Sequence, residues 1–396
     1  MGHWPGTTKD HCKSEASFKS RGWEVKGGRT AVKTVAVIVG TRPDCIKSMP
    51  VVQALRNMDW IKTVLISTGQ HREMLDQVFE TFGIQPDIDL GLMKHGQSLA
   101  EMSSRMILAL DGAFAESKPD FVIAQGDTTT TFIASLAAFY RQIPFGHVEA
   151  GLRTHNIHNP FPEEFNRQAT RLVARQHYAP TELAAQNLRD EGVSDSDIFV
   201  TGNTGIDAVL QVAKLMPQTW YPDFAGRLIL MTMHRRENWG EPMAGVARAA
   251  RQLIEEHPDA HLVVAMHKNP DVRSVLTDAL GGHPRIDLIE PPQYEQFVKL
   301  IERSYFILTD SGGVQEEAPS FGKPLLVLRE TTERPEGVDA GCAQLIGTDP
   351  ATVLEFGRNL FSDKAFYDSM AKASSPYGDG KASEKIATAV AGLLSV

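Results

Sequence analysis

The sequence predicts an α/β protein of two doubly wound, parallel-sheet domains, and three observations carry that prediction. Its 396 residues suit two domains at roughly 100–200 residues each. From residue 34 onward, short apolar runs bounded by Gly, Pro, Asp or Thr alternate with helical stretches, the pattern of strands buried on both faces by crossover helices. The alternation restarts after the Pro- and Trp-containing stretch at 217–222. Ligands are then expected at the carboxyl ends of the strands and in the cleft between the domains.

In the first set the expected strands are 35–40, 64–68, 121–126, 144–148 and 198–201, with helices at 46–57, 98–116 and 130–140. In the second set the strands are 228–231, 260–266, 286–289, 305–309 and 325–328, with helices at 243–256 and 296–301. The domains are accordingly placed at 33–203 and 204–376. Residues 1–32 stand apart: they lack hydrophobic periodicity and an apolar signal region, and Gly6 sits where a myristoylation signal needs Ser or Thr. They read as a flexible tail, with a docking arm as the alternative.

Hydrophobic residues at 42% and charged residues at 22% exclude a disordered, collagen-like or coiled-coil chain. Forty basic against forty-nine acidic side chains give −9. Six basic and three acidic residues in the tail leave the body at −12, the opposite of a general nucleic-acid binder. Any phosphate site must therefore be local. Cys12, Cys45 and Cys342 make neither a disulfide framework nor a zinc pattern, which points to a reducing compartment. No apolar run reaches the roughly 20 residues of a membrane span. A soluble cytoplasmic protein is expected, with no nucleic-acid or membrane partner.

Several loops at strand ends carry more chemistry than connections need. Gly40-Thr41-Arg42-Pro43-Asp44 precedes a helix holding Lys47; a helix N-terminus with two fixed cations suits a phosphate, and a simple turn is the alternative. In Gln125-Gly126-Asp127-Thr128 and the three threonines after it, Asp127 or a threonine would serve as a helix cap. His147-Val148-Glu149 puts an imidazole and a carboxylate at another strand end. Pro162 suits the first position of the next helix, where Glu163 and Arg167 would form an i,i+4 surface pair. Carboxylates converging from these loops would raise one another's proton affinity and suit acid/base work. In the second half, His234-Arg235-Arg236-Glu237-Asn238 follows one strand. Asp310-Ser311-Gly312-Gly313 enters a helix after another, where backbone N–H groups can approach a pyrophosphate. The Glu330–Glu336 segment reads as a charged, solvated loop.

Taken in order, GTRPDCIK, TGQHREML, QGDTTTT, HVEAGLRT, PFPEEFNR, HRREN, DSGGVQEE and TTERPE resemble the non-hydrolysing UDP-N-acetylglucosamine 2-epimerases. The resemblance runs from about residue 34 to the C-terminus. It implies two Rossmann-like domains in the GT-B fold, an active site in the interdomain cleft, and a last helix, 377–396, returning to the first domain. It also implies UDP contacts at Arg42, Lys47, His234, Phe297, Ser311, Gly312, Gly313, Glu317 and Arg334. The acid/base groups it implies are Asp127, Glu149 and Glu163, aided by Lys47, Arg167 and His234. No cofactor or metal is implied; a UDP-sugar substrate and a homodimer are. Some members take a second sugar nucleotide as activator near Gln70 and His71. Both residues are kept here, while Glu73 and Gly96 depart from the more polar or basic residues of activated members, and Asp44-Cys45 stands in place of Glu-Ala.

The family reaction interconverts UDP-N-acetylglucosamine and UDP-N-acetylmannosamine. The sugar's C2 proton is not next to a carbonyl, so direct removal would leave an unstabilised carbanion. The family route instead eliminates UDP to a 2-acetamidoglucal and adds it back. The alternatives are a 2-epimerase for a modified UDP-sugar such as a diacetamido-uronate, a hydrolysing epimerase, a GT-B glycosyltransferase and a non-catalytic nucleotide-sugar sensor.

Overall fold

A computed structural model of the chain describes residues 31–69, 72–93, 96–332, 334–373 and 375–395. The tail up to residue 30, and Gln70 and His71, lie outside the described residues.

The first half runs β1 (Lys33–Val39), α1 (Arg42–Arg56), β2 (Ile61–Ser67), α2 (Arg72–Phe82), β3 (Ile88–Asp89), α3 (Leu99–Ser117), β4 (Phe121–Gln125), α4 (Thr129–Tyr140), β5 (Phe145–Val148), α5 (Glu163–Val173), β6 (Ala174–Ala179), α6 (Glu182–Asp190), β7 (Ile198–Val200) and α7 (Thr204–Leu215). The second runs β8 (Arg227–Thr232), α8 (Glu241–Glu256), β9 (Ala260–Ala265), α9 (Pro270–Leu280), β10 (Ile286–Ile289), α10 (Tyr294–Arg303), β11 (Phe306–Thr309), α11 (Gly312–Glu317), β12 (Leu325–Val327), α12 (Pro335–Asp339), β13 (Ala343–Leu345), α13 (Pro350–Ser362) and α14 (Lys364–Ala371). Helix α15 (Ala382–Leu394) ends the chain.

Two all-parallel sheets result, ordered β3-β2-β1-β4-β5-β6-β7 and β10-β9-β8-β11-β12-β13. Each is covered on both faces, which is why its strands read as unbroken apolar runs. In β1, Val35, Val37 and Val39 face one cluster with α1, α7 and α15, while Ala36 and Ile38 face another with α3 and α4. In β8, Ile229 and Met231 pack toward α8, α9 and α13, and Leu228 and Leu230 toward α10 and α11. At about 1.5–3 kcal/mol per buried aliphatic side chain, a polar replacement on either face of a central strand removes a sizeable part of a domain's stability. These two parallel-sheet domains form the GT-B architecture. Among the described residues no helix is long and apolar enough to cross a membrane.

Four details differ from the sequence expectation. Helix α1 starts at Arg42 rather than 46, because Asp44 accepts bonds from the Thr41 N–H (2.7 Å) and hydroxyl (2.9 Å) and fixes the first turn. Strands β3, β6 and β13 were not apparent. In β6 the polar Arg175, Gln176 and His177 interrupt the apolar pattern, yet Gln176 is buried because its Nε2 donates to the Ala389 carbonyl of α15. Pro162 is the N-cap of α5, not its first helical residue. Helix α7, placed by the sequence reading at the start of the second domain, has Ala208, Val209 and Val212 in the first domain's core, with α1 and α15 as neighbours. Asp207 on α7 holds the start of α15, accepting from the Ala382 N–H (3.1 Å), the Ser383 N–H (2.8 Å) and the Ser383 hydroxyl (2.5 Å).

Candidate active site

Four of the motif loops leave strands at the two points where the strand order reverses. The loops after β1 and β4 are neighbours in the first sheet, and those after β8 and β11 in the second. Connections there run to opposite faces of the sheet, so the loops part and leave a crevice at the carboxyl ends.

In the first sheet, Gly40 brings the β1 loop against α4: a Cβ there would stand 2.2 Å from the Thr130 hydroxyl. The threonine run is thereby accounted for. Thr128 caps α4, Thr130 packs under Gly40, and the Thr131 hydroxyl donates to the Gln125 carbonyl at 2.6 Å. Asp127 is free of capping duty and instead meets Arg167 (Nη1–Oδ2 2.6 Å). Arg167 also binds Glu164, at 2.8 Å from Nη2 and 3.0 Å from Nε. The Glu163–Arg167 surface pair expected from the sequence is therefore not formed. Glu164 is the buried member, accepting also from the Thr154 and His155 N–H groups.

Glu149 follows β5 with φ +64°, a left-handed backbone uncommon for a residue with a side chain. Lys47 Nζ lies 2.7 Å from its Oε1, and Gln125 Nε2 donates to Oε2. Burial pushes the Glu149 carboxyl above the usual carboxylate range; Lys47 draws it back, and Glu316 and Asp127 raise it again. His147, by contrast, turns inward: its Nε2 meets the Gly126 carbonyl at 2.7 Å, and burial lowers its pKa to about 3. It stays neutral and takes no part in the crevice.

In the second sheet, buried Asp310 organises the loop after β8. It accepts from the His234 and Arg235 N–H groups (3.0 and 2.9 Å), from Asn238 Nδ2 (3.0 Å), and sits 3.1 Å from His234 Nδ1. Burial opposes its charge, but these donors hold its pKa below the ordinary range. Ser311 stands at the N-cap position of α11 without a side-chain capping bond, and that helix carries Glu316 and Glu317. Glu316 accepts from Arg334 Nε (2.7 Å) and Asn203 Nδ2 (3.0 Å) and lies 3.9 Å from Lys47 Nζ. Burial alone would raise it, yet Lys47 and Arg334 outweigh burial and keep it low. Glu317, 3.3 Å from the Tyr294 hydroxyl, is pushed by burial and by Glu316 up to about 7.

Three adjoining cavities share these side chains. One of about 390 Å³ is lined by Arg42, Lys47, Phe297, Gly313, Glu317 and Arg334, with Tyr294 and Glu316. A second, about 300 Å³, is lined by Lys47, Asp127, Glu149, Arg167 and Arg334. The third, about 710 Å³, opens from Glu149, Arg167 and Arg334 toward Arg153, Arg235 and Tyr377. Glu163, His234, Ser311 and Gly312 line none of the three, although Gly312 lies directly under the Arg334 guanidinium. Glu316, Gln125 and Asn203 belong to the site without having been singled out. Glu316 sits inside the quoted DSGGVQEE block, but only packing shows which of two adjacent glutamates meets which cation.

Comparison with known proteins identifies the family. A family-wide profile of UDP-N-acetylglucosamine 2-epimerases matches residues 53–391. The Bacillus subtilis UDP-N-acetylglucosamine 2-epimerase is 49% identical over 354 residues, 89% of this chain and 93% of that protein. The Escherichia coli K12 protein of the same name is 46% identical, covering 90% of this chain and 98% of its own. A crystal structure of the Neisseria meningitidis UDP-GlcNAc 2-epimerase bound to UDP-GlcNAc superposes with a TM-score of 0.77 at 43% identity, covering 92% of this chain and all of that one. With the profile spanning most of the chain and these identities over nearly full lengths, the chain belongs to the UDP-N-acetylglucosamine 2-epimerase family.

Proposed function

We propose that the chain interconverts UDP-N-acetylglucosamine and UDP-N-acetylmannosamine by eliminating UDP across C1–C2 and adding it back. The observation that carries this reading is the opposite treatment of two half-buried carboxylates that share Lys47. Glu316 is held as a fixed anion, whereas Glu149 is driven toward accepting a proton. Environments that push neighbouring acids apart in this way separate a proton carrier from an electrostatic support.

In the proposed cycle a carboxylate takes the C2 proton. The C–H electron pair forms the C1=C2 bond, and the C1–O pair leaves with UDP. UDP then re-attacks C1 while a carboxylic acid returns a proton to the other face of C2. Glu149 and Asp127 supply the two faces, with Glu163 as the third carboxylate. Lys47 and Arg167 fix the first two in place. Arg42, Arg334 and the N–H groups of Gly312 and Gly313 hold the pyrophosphate, and His234 steadies the departing phosphate. Glu317 accepts from the ribose hydroxyls, and Phe297 walls the uridine side. UDP must stay bound between the two steps, which a cleft walled by both domains favours.

The test is pure protein with UDP-N-acetylglucosamine in deuterated water. The expected result is the epimer with deuterium at C2 and no free UDP. Release of UDP without re-addition would show the hydrolysing reaction. Inertness toward this substrate but turnover of a diacetamido-uronate would move the specificity, and inertness toward any UDP-sugar without an acceptor would overturn the reading.

A homodimer belongs to the same proposal. Helices α3, α4 and α5 pack in a row and leave Leu108, Phe139, Tyr140, Phe165 and Leu172 exposed, more apolar surface than isolated exposed residues present. Sedimentation equilibrium should give twice the chain mass, and Leu172→Arg should shift it to one.

A further inference from the structure

We propose that Gln125, seated by Thr204, is a positioning residue that holds Glu149 through both of its protonation states. Gln125 ends β4 and is 2% exposed; Thr204 begins α7 and is 1% exposed. Gln125 Nε2 donates to Glu149 Oε2, and its Oε1 accepts from the Thr204 hydroxyl at 3.2 Å. Its main-chain carbonyl is tied by the Thr131 hydroxyl at 2.6 Å, so the side chain hangs from a fixed point. Glu149 is consequently held at both oxygens, by Lys47 at Oε1 and by Gln125 at Oε2.

The residue types matter. A lysine in place of Gln125 would lock Glu149 as an anion, and an aliphatic residue would leave Oε2 with no donor. An amide has one donor end and one acceptor end, and a threonine hydroxyl can play either part. With Glu149 ionised, Nε2 donates to it and Oε1 accepts from Thr204. With Glu149 protonated, a half-turn of the amide lets Oε1 accept the carboxyl proton while Nε2 donates to the Thr204 oxygen. In both states Glu149 Oε2, both ends of the amide and the Thr204 oxygen keep a partner; losing one would oppose proton transfer. The charged groups facing Glu149 are Lys47 from α1, Glu316 from α11, Asp127 after β4, Arg153 after β5, Arg167 from α5 and Arg334 ahead of α12. None of these can act as both donor and acceptor at Oε2 through a neutral group; the Gln125–Thr204 pair can. This inference rests on the proposed role of Glu149 as proton carrier.

The experiment is the pH profile of kcat, with KM and UDP affinity by calorimetry, for Gln125→Met, Thr204→Val and Thr204→Ser. Losing a hydrogen bond to a charged group should lower kcat roughly 10–100-fold for Gln125→Met, with KM within about 3-fold. The acidic limb should move to higher pH, because the anion has lost a donor. Thr204→Val should shift kcat and the limb the same way by less, and Thr204→Ser should restore both. If Gln125→Met does not fold, the Thr204 pair alone decides. Wild-type rate and pH profile in Gln125→Met and Thr204→Val, alongside an inactive Glu149→Gln enzyme, would overturn the positioning role and leave the proposed function standing. An active Glu149→Gln enzyme would overturn both.

Discussion

The guanidinium of Arg334 lies directly against Gly312: a Cβ on Gly312 would stand 2.8 Å from both Cζ and Nη1. Arg334 is held there by Glu316, 2.7 Å from its Nε. The position of a cation in the cleft therefore depends on a missing side chain as well as on its ion pair. Arg334→Ala should weaken UDP binding roughly 10–100-fold, the scale of a lost charge-assisted contact. Gly312→Ala should weaken it in the same direction with little change in melting temperature, since alanine suits a helix and only the end of a flexible side chain has to move. Calorimetric titration with UDP, paired with thermal unfolding, checks both.

Variants of the proposed acid/base carboxylates should separate chemistry from binding. Glu149→Gln and Asp127→Asn should each lower kcat by about 100-fold or more, in the range of general acid–base catalysis, with UDP affinity nearly unchanged. Glu163→Gln is the informative third variant, because Glu163 lines none of the three cavities. A comparable loss in that variant would require the α5 start to move toward the substrate. Steady-state kinetics in both directions would show it.

Glu317 gives a pH signature. Its folded-state pKa of about 7 stands above the ordinary 4.5, so the folded state binds the proton more tightly than the unfolded chain. Its contribution to stability is accordingly complete below pH 4.5 and is lost as pH rises through about 7. Glu317→Gln should remove this loss, so the variant should gain on the wild type in melting temperature between pH 5 and pH 8. Parallel melts across that range, showing no pH-dependent difference, would contradict the assignment.

Asp207 ties the last helix to the first domain. Asp207→Ala would leave the Ala382 and Ser383 N–H groups and the Ser383 hydroxyl without their acceptor in a buried place. Urea unfolding should show a loss of about 3 kcal/mol, and Asp207→Asn, which keeps one acceptor oxygen, should lose less.

Much of this molecule could be read in the chain itself where one rule operates locally. The buried strands declared themselves because β1, β4 and β8 are apolar on both faces. Where local rules compete, capping bonds and distant partners decide. The start of α1 was set four residues early by Asp44 reaching back to Thr41. Strand β6 was hidden because Gln176 is polar but finds its partner 213 residues away in α15. Asp127 satisfies the sequence rule for a helix cap, but Thr128 occupies that place.

By itself the sequence determined that two parallel sheets form and that glycine-bearing, charged loops leave the ends of their strands, because strand patterning and turn chemistry depend on neighbours a few residues apart. It also determined, through eight ordered motifs, the family. Only the tertiary structure decided which of two adjacent acids does what. Glu163 and Glu164, like Glu316 and Glu317, are one residue apart on a helix and so point about 100° away from each other. Which member turns inward depends on the packing of whole helices against distant partners. That packing put Glu164 on Arg167, and Glu316 between Arg334 and Lys47, with Glu317 beside it in the wall of the Arg42–Phe297 cavity.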